Sequence, residues 1–201
     1  MPMLATVPTI DASSANGSDC CQFRRCSTGL WSRVPITCAR EIVMISSRLS
    51  QYFDQRGVQY EVSEHRLSRN SAQTARVAHV PPRLVAKSVI LEDDDGFVMA
   101  VIPADRCVMV GHLASLLGRH RLHLSDENRI AAVFGDCDRG AVPPVGMAWG
   151  IETVVDEELE GHEVVYLEGG DHRRLLRMPG EQFAELMRAA RHGRFSKSPL
   201  H

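Results

Sequence analysis

The stretch Val85-Ala86-Lys87-Ser88-Val89-Ile90-Leu91 has the composition of a buried strand, with a lysine in its middle. Burying an ammonium group without a partner is costly, so this lysine requires a protein carboxylate or a ligand phosphate. A second segment, Gly140-Ala141-Val142-Pro143-Pro144-Val145-Gly146, is an apolar loop whose glycines and prolines leave its backbone nearly fixed and its N–H groups unobstructed. Together the two segments predict a small pocket for an anionic, polar substrate.

Strand and helix patterns alternate on both sides of this stretch. Residues 84–91 and 97–102 are predicted strands, joined by the turn-forming run Glu92-Asp93-Asp94-Asp95-Gly96. Further strands are predicted at 58–65, 151–155, 163–167 and 175–178, and helices at about 47–57, 71–79, 110–117, 125–134 and 181–191. Ser71 and Ser125 are the expected N-caps of the second and fourth helices. Since there is no strict βαβ alternation, we expect a single α+β domain with a mixed, curved or barrel-like sheet flanked by helices.

Composition places the chain among soluble globular proteins, with 44% hydrophobic and 24% charged residues in a length of 201. No apolar run approaches the roughly 18–20 residues that cross a bilayer, so no membrane partner is expected. The N-terminus lacks the apolar core of a secretory signal, and a cytoplasmic location is therefore expected.

The net charge of −2 gives no global attraction to nucleic acid, so any contact with RNA must come from local basic patches. The alternative for each patch is an ordinary solvated face. The candidate patches are Arg119-His120-Arg121, Arg173-Arg174 with Arg177, and the group of Arg188, Arg191, Arg194 and Lys197.

Residues 1–43 differ from the rest of the chain, because they are rich in Ser, Thr and Cys and have no sustained periodicity. We expect them to be a disordered leader and hypothesise that the native start is Met44. The folded domain is predicted at 44–192 and a flexible tail at 193–201. A zinc site is not expected, because the adjacency of Cys20 and Cys21, near Cys26 and Cys38, does not fit C-x₂₋₄-C spacing. No P-loop, dinucleotide fingerprint or HExxH motif is present, and no cofactor is expected.

The motifs, taken in order, resemble the YbaK/EbsC family of aminoacyl-tRNA editing domains, which also occur inserted in bacterial prolyl-tRNA synthetases. The resemblance runs from about residue 47 to 191 and implies the fold of that family. It also implies a deacylase that hydrolyses the ester of tRNA mischarged with a small amino acid. The partner is then the tRNA acceptor end, with an aminoacyl-tRNA synthetase as a further candidate. The matching pieces are Lys87 in its strand, Ala100-Val101-Ile102-Pro103-Ala104-Asp105, the GxxxP spacing from Gly140 to Pro144, Val154-Val155-Asp156, and Tyr166-Leu167-Glu168-Gly169-Gly170.

The resemblance also implies roles for individual residues. Lys87 would bind the phosphate or ribose of the terminal adenosine; the alternative is a structural ion pair with a carboxylate such as Asp156. The loop would shape the amino-acid pocket and present N–H groups to the ester carbonyl, whereas the alternative is a rigid connector. The loop residues assigned to this role are Gly140, Ala141, Val142 and Pro143, with Pro144 on the binding side.

Two histidines are further candidates for substrate binding. His172 follows the flexible turn Gly169-Gly170, which is itself assigned to the substrate site, and His65 ends the second element. A surface or capping histidine is the alternative for both. Asp156 is expected to hold either a loop or Lys87 in place.

Three residues bear on whether and how the chain is catalytic. Cys137 is a candidate thiol nucleophile, but the resemblance implies water and the ribose hydroxyl of the substrate instead. Glu168 and Leu175 stand where the family pattern carries Ser and Asp. This departure leaves the edited amino acid open and supports an alternative function as a non-catalytic binding module for aminoacyl-tRNA or a nucleotide.

Overall fold

The computed structural model describes residues 45–199. The predictions about the leader 1–43, the start at Met44 and the four cysteines before residue 39 lie outside the described residues. Within the described range, no helix has the length and apolarity needed to span a bilayer.

Five α-helices, ten strands and three short 3-10 helices (Pro82–Leu84, Gly146–Trp149 and Glu157–Leu159) make up the regular structure of the described residues. The helices are α1 Ser47–Arg56, α2 Ser71–Val77, α3 Val110–Leu117, α4 Glu127–Val133 and α5 Gly180–Met187. The longer strands are β1 Glu61–Glu64, β2 Val85–Asp93, β3 Gly96–Pro103, β6 Glu152–Asp156, β7 Val164–Glu168 and β8 Arg174–Pro179. The short strands are β4 Cys107–Val108, β5 His123–Leu124, β9 Arg191–Gly193 and β10 Ser196–Lys197.

The main sheet is mixed, as the sequence predicts. Its strand order is β1-β8-β7-β2-β3-β6-β9, with β5 paired to β2, while β10 and β4 form a separate two-stranded sheet. The pairs β1–β8, β8–β7 and β2–β3 are antiparallel, whereas β2–β7, β3–β6 and β6–β9 are parallel. Among the described strands β1 and β9 do not pair with each other, so the sheet is open and does not close into a barrel.

The hairpin of β2 and β3 is the centre of the fold and separates two packed layers. Its register runs from Ala86 opposite Pro103 to Asp93 opposite Gly96. Because successive strand residues point to opposite faces, Met99 and Val101 pack with α1 and α5, and their neighbours Val98, Ala100 and Ile102 pack with α3. We call the side that packs with α1 and α5 the α1 face. The other side packs with α3 and, near the start of β2, with α2, and we call it the α2 face.

Helix α2 covers the second of these faces next to the start of β2. Its Ala75 is fully buried against Val85, Ala104 and Leu175. This small cluster fixes the position of α2 beside the strand that carries Lys87.

The helix caps differ by one residue from the predicted ones. Asn70 accepts a hydrogen bond from the N–H of Gln73 at the start of α2, and Asp126 accepts one from Asn128 at the start of α4. In both cases the Asn or Asp side chain takes the cap position that the sequence analysis gives to the serine beside it. The predicted stop of α1 at Gly57 is confirmed, with a φ of 63° that suits glycine.

Residues 193–197, which we expected to belong to a flexible tail, are packed against the domain. Strand β9 pairs with β6, so α5 ends at Met187 instead of continuing to residue 191. Phe195 is fully buried, and its N–H donates to a carboxylate oxygen of Asp156 at 3.0 Å. The apolar ring therefore anchors a segment whose composition alone resembles a tail.

Candidate functional site

Strand β2 has a gap in pairing along one of its edges. On this edge it pairs with β7 only at Val85 and Ala86, and with β5 only at Leu91 and Glu92. Residues 87–90 lie between these pairs and have no strand partner there. The loop that precedes β6 and the start of α4 border this gap, which gives the sheet a natural place for a ligand.

The gap contains a cavity of about 220 Å³. Sites for drug-sized ligands begin at roughly 300 Å³, so this one suits a small group. The hydroxyl of Ser125 is buried at its wall and has no hydrogen-bond partner among the described residues. The lining of the cavity mixes apolar and polar residues, including Ser88, Ile90, Ser125, Ile130, Gly140 and Val142.

The GxxxP loop closes one side of the cavity. Gly140 has a φ of 80°, a left-handed conformation that favours glycine, and the next four residues are buried. Ser88 Oγ donates to the carbonyl oxygen of Val142 at 2.7 Å and ties the loop to β2. The Ala141 N–H donates to the Asp138 carbonyl at 3.0 Å. The N–H groups of Gly140 and Val142 donate to no described residue, so two donors remain available to a ligand.

His172 lies directly against this loop. A Cβ on Gly140 would be 3.6 Å from Cε1 of the imidazole. The Nε2 atom is 2.7 Å from the Arg139 carbonyl oxygen, and it must be the donor because a carbonyl only accepts. The Nδ1 atom is buried without a partner among the described residues. The structure thus brings together His172 and Gly140, which the sequence placed in one pocket.

The turn at Gly169 and Gly170 binds the surrounding segments together. The Gly169 carbonyl accepts from the N–H of Ser46 at 3.0 Å, and the Gly170 carbonyl accepts from Asp138 at 2.8 Å. A Cβ on Gly169 would be 3.0 Å from the Arg174 carbonyl oxygen, a tight contact that a larger residue could make only if the neighbouring backbone shifted by a few tenths of an ångström. In this structure the two glycines connect α1, the GxxxP loop and the turn that carries His172.

Cys137 is packed inside this arrangement. A Cβ on Gly170 would be 3.5 Å from its Sγ, and burial raises the pKa of the thiol to about 12. A thiol nucleophile requires a lowered pKa, so the environment of Cys137 favours a packing role.

Lys87 points to the α2 face, away from Ser88 and the GxxxP loop, because neighbouring strand residues alternate. Its Nζ donates to the Ala104 carbonyl oxygen at 3.2 Å. Burial lowers the pKa of this ammonium, while Cys107 and Asp105 act in the opposite direction. Within residues 45–199 no carboxylate forms an ion pair with Lys87 at 4.0 Å or less.

Asp156 does not contact Lys87. Its two carboxylate oxygens accept from the backbone N–H groups of Glu158 and Phe195, each at 3.0 Å. Asp156 therefore holds a loop in place, which is one of its two expected roles. The alternative that Lys87 forms an ion pair with Asp156 is wrong.

Glu168, which the sequence analysis noted only as a departure from the family pattern, is a buried carboxyl that was not assigned to the site. Ala86 and Leu167 form the last pair of β2 and β7, so Lys87 and Glu168, the next residue of each strand, point to the same face of the sheet. Glu168 is only 7% exposed, and burial, with a further contribution from Asp171, raises the pKa of its carboxyl to about 8. The signal in the sequence was an acidic residue ending the apolar run of β7.

The carboxyl of Glu168 is only partly compensated. Thr74 Oγ1 is 3.5 Å from its Oε2, and the His172 backbone amide also favours the ionised form. Its Oε1 is buried without a partner among the described residues. At neutral pH the group is mostly a neutral acid, because its pKa of about 8 lies above that pH.

His65 lies next to the turn that carries His172. Its N–H donates to the Arg173 carbonyl at 2.8 Å, its Nδ1 is 2.8 Å from the Arg66 carbonyl oxygen, and its Nε2 is buried without a partner in the described part of the chain. Orphaned polar atoms of this kind are typical of places that hold water or a ligand. No group of three or more His, Cys, Asp or Glu residues in the described range is arranged to hold a metal ion.

The basic patches expected from the sequence are largely neutralised by ion pairs. Arg119 contacts Asp93 and Glu152, each at 2.7 Å, and Arg121 contacts Asp94 at 3.5 Å. The other paired arginines are Arg174 with Asp171, Arg177 with Glu61, Arg188 with Glu185, Arg191 with Glu152 and Arg194 with Glu157. The paired arginines are therefore poor candidates for binding phosphates, whereas Arg173 of the second patch has no ion pair with a described residue.

Comparisons with known proteins agree with this architecture. The aminoacyl-tRNA editing domain family matches residues 65–186. A proline–tRNA ligase of Thermosipho africanus (strain TCF52B) is 36% identical over 78 residues, which are 39% of this chain and 14% of the ligase. The chain thus corresponds to a small part of that relative.

Two crystal structures share the fold along most of their length. One is provisionally described as a trans-editing enzyme for prolyl-tRNA synthetase; it is 21% identical, with a TM-score of 0.66 over 76% of this chain and 97% of that one. The other, a hypothetical protein, is 25% identical, with a TM-score of 0.66 over 75% of this chain and 99% of that one. Because the family match spans more than half of the sequence and includes β2, the GxxxP loop and β7, this chain belongs to the aminoacyl-tRNA editing domain family.

Proposed function

We propose that the chain is a trans-editing deacylase that hydrolyses the ester of tRNA mischarged with a small amino acid, and that it acts in the cytoplasm, where aminoacyl-tRNA is used. The observation that carries the proposal is the cavity of about 220 Å³, whose wall includes Gly140 and Val142 with two unused N–H groups. Membership of the editing family supports the same reaction.

The proposed reaction is the addition of water to the ester carbonyl. Negative charge develops on the carbonyl oxygen, and the N–H groups of Gly140 and Val142 stabilise it. One well-placed donor of this kind contributes roughly 3 kcal/mol to the rate. The bond from the carbonyl carbon to the ribose oxygen then breaks, and that oxygen takes a proton. The products are a free amino acid and an uncharged tRNA.

Two side chains take supporting roles in this proposal, His172 beside the cavity and Lys87 on the opposite face of β2. The ring of His172 holds the backbone of Arg139, directly before Gly140, through its Nε2. Lys87, which has no carboxylate partner among the described residues, binds the phosphate or ribose of the terminal adenosine. The adjacent hydroxyl of that ribose helps water to attack, so no protein nucleophile is required.

Selection of the substrate rests on the size of the cavity. One methylene in an apolar pocket changes the transition-state free energy by only about 1–3 kcal/mol, so the larger correct amino acid must be rejected by steric exclusion. Alanyl, cysteinyl, seryl and threonyl esters are the candidates. Two relatives carry names that refer to proline, which makes mischarged tRNA for proline the first substrate to test.

The test is a deacylation screen over a panel of mischarged tRNAs. We expect one small-residue ester to disappear well above its rate in buffer. Absence of any acceleration would overturn the enzyme proposal. Tight binding of an uncleaved ester analogue would then support the non-catalytic binding module, which the departures at Glu168 and Leu175 suggest.

A further inference from the structure

One stretch of the chain carries positive charge without any negative charge. Residues 65–91 contain Arg66, Arg69, Arg76, Arg83 and Lys87, but no Asp or Glu. The chain as a whole has a net charge of −2, so the remaining residues carry a clear excess of acid. This asymmetry lies in the segment that includes α2 and leads into β2.

The four arginines of this stretch are exposed and unpaired. Among residues 45–199, no carboxylate lies within 4.0 Å of any of them. In contrast, a glutamate holds Arg177 of β8 and each of Arg188, Arg191 and Arg194, which follow α5. A guanidinium without an intramolecular partner can bind an anion without first breaking an ion pair.

This arginine-bearing segment begins beside the candidate site. The N–H of His65 donates to the carbonyl of Arg173 at 2.8 Å, and the N–H of Ser68 donates to that of His172 at 3.1 Å. Arg173 is also exposed and has no ion pair with a described residue. The N–H of Arg69 then donates to the side chain of Gln73 at 3.0 Å, which links the segment to α2.

We propose that these residues form the surface that binds the sugar-phosphate backbone of the tRNA acceptor stem. We call this surface the basic strip and define it as Arg66, Arg69, Arg76, Arg83 and Arg173. Contact with the strip positions the 3′ end of the RNA at the gap in β2. The inference rests on the proposed editing function and adds to it the protein surface that holds the RNA.

Guanidinium groups suit this partner because their planar donors match phosphate oxygens in pairs. Binding through phosphates releases counterions and therefore depends strongly on salt. The backbone of a stem is the same for every tRNA, so the strip contributes affinity and orientation, and the cavity contributes selection.

The test compares two variants with the same change in net charge. The strip variant carries Arg66→Gln, Arg69→Gln, Arg76→Gln and Arg83→Gln. The control carries Arg177→Gln, Arg188→Gln, Arg191→Gln and Arg194→Gln, at exposed arginines that are paired with glutamates. Binding of uncharged tRNA is measured by fluorescence anisotropy between roughly 50 and 200 mM salt, and the melting temperature of each variant confirms that it is folded.

We expect the strip variant to lose at least about tenfold in affinity, and its salt dependence to decrease by up to about 0.9 in log–log slope per lost contact. The control should stay close to the wild type. An equal loss of tRNA affinity in both variants would show that only net charge matters and would overturn the proposal. Unchanged affinity of the strip variant, or no binding of tRNA by the wild type, would overturn it as well.

A second readout separates this inference from the deacylase itself. An aminoacyl ester on a CCA trinucleotide lacks the stem, so both variants should hydrolyse it like the wild type while the strip variant is impaired on full tRNA. If no ester is cleaved but tRNA binding depends on the strip, only the deacylase proposal fails. If esters are cleaved and the strip variant still acts normally on full tRNA, only the strip fails.

Discussion

Replacement of Gly140 by valine tests whether the GxxxP loop performs chemistry or only connects two elements. The backbone of Gly140 is in the left-handed region at a φ of 80°, and its N–H is one of the two unused donors of the loop. A Cβ alone would meet only the imidazole of His172, at 3.6 Å, which is an ordinary contact. The obstacle is therefore the backbone conformation, together with the two methyl groups that extend beyond the Cβ.

The expected magnitudes differ for stability and turnover. A left-handed conformation costs an ordinary residue about 1–2 kcal/mol, which corresponds to a decrease of roughly 2–8 °C in melting temperature at this chain length. Misalignment of one oxyanion donor lowers the rate about 10²–10³-fold. Affinity for tRNA should change little, since the loop is not expected to hold the phosphates.

Gly118→Val is the matched control. Gly118 ends α3 with a φ of 67°, and a Cβ there would meet nothing within 4 Å. Both variants should lose similar stability in thermal melts, but only Gly140→Val should lose single-turnover deacylation. Wild-type turnover in a folded Gly140→Val protein would place the pocket elsewhere. An equal loss of turnover in both variants would favour the connector role.

Three other substitutions address single groups of the site. For Glu168, the folded-state pKa of about 8 lies above its ordinary value of 4.5, so the stabilising effect of the bound proton is complete below about 4.5 and lost as pH rises through about 8. Between about pH 5 and pH 8.5 the melting temperature of Glu168→Gln should therefore fall less than that of the wild type. An equal fall in both proteins would refute the raised pKa of Glu168. Lys87→Ala should keep the fold and lower turnover at least about tenfold, because one charge-assisted contact is worth roughly 1.5–3 kcal/mol; an unfolded variant with no specific defect would indicate a structural role. Cys137→Ala should retain turnover within about twofold, since a thiol whose pKa is about 12 is not ionised at neutral pH, and loss of activity in a stable variant would restore the thiol mechanism.

Local patterns in the sequence predicted most of the main elements. The β2–β3 hairpin follows from two apolar runs around an Asp-Gly turn, and α3 follows from a periodic run that ends at Gly118. Strands β4, β5, β9 and β10 were not predicted, because segments of two or three residues become strands only through partners distant in the sequence. The buried Phe195 is an example, since its contacts lie with α3 and the sheet.

The candidate site was predicted only in part, because contacts between segments distant in the sequence do not follow from local patterns. The rigid loop at Gly140 follows from its glycine and proline spacing, whereas the expectation that His172 lies near the pocket came from the family resemblance. The placement of Lys87 and Glu168 on one face of the sheet depends on the register of β2 and β7, which lie about 80 residues apart in sequence and pair nonlocally. The patches around Arg119 and Arg188 were expected to be basic, but whether an arginine is free or paired depends on carboxylates brought in by folding.

The alternation of residues along β2 has a consequence for how such a protein changes over time. Ser88 contacts the loop on one side of the sheet, and Lys87, its immediate neighbour, lies on the other side near α2. The two side chains share no hydrogen-bond partner among the described residues, so we expect a substitution at one position to leave the contacts of the other in place. Under the proposed function, acyl preference and nucleic-acid binding could therefore diverge separately in related proteins, while the hairpin that carries both positions stays the same.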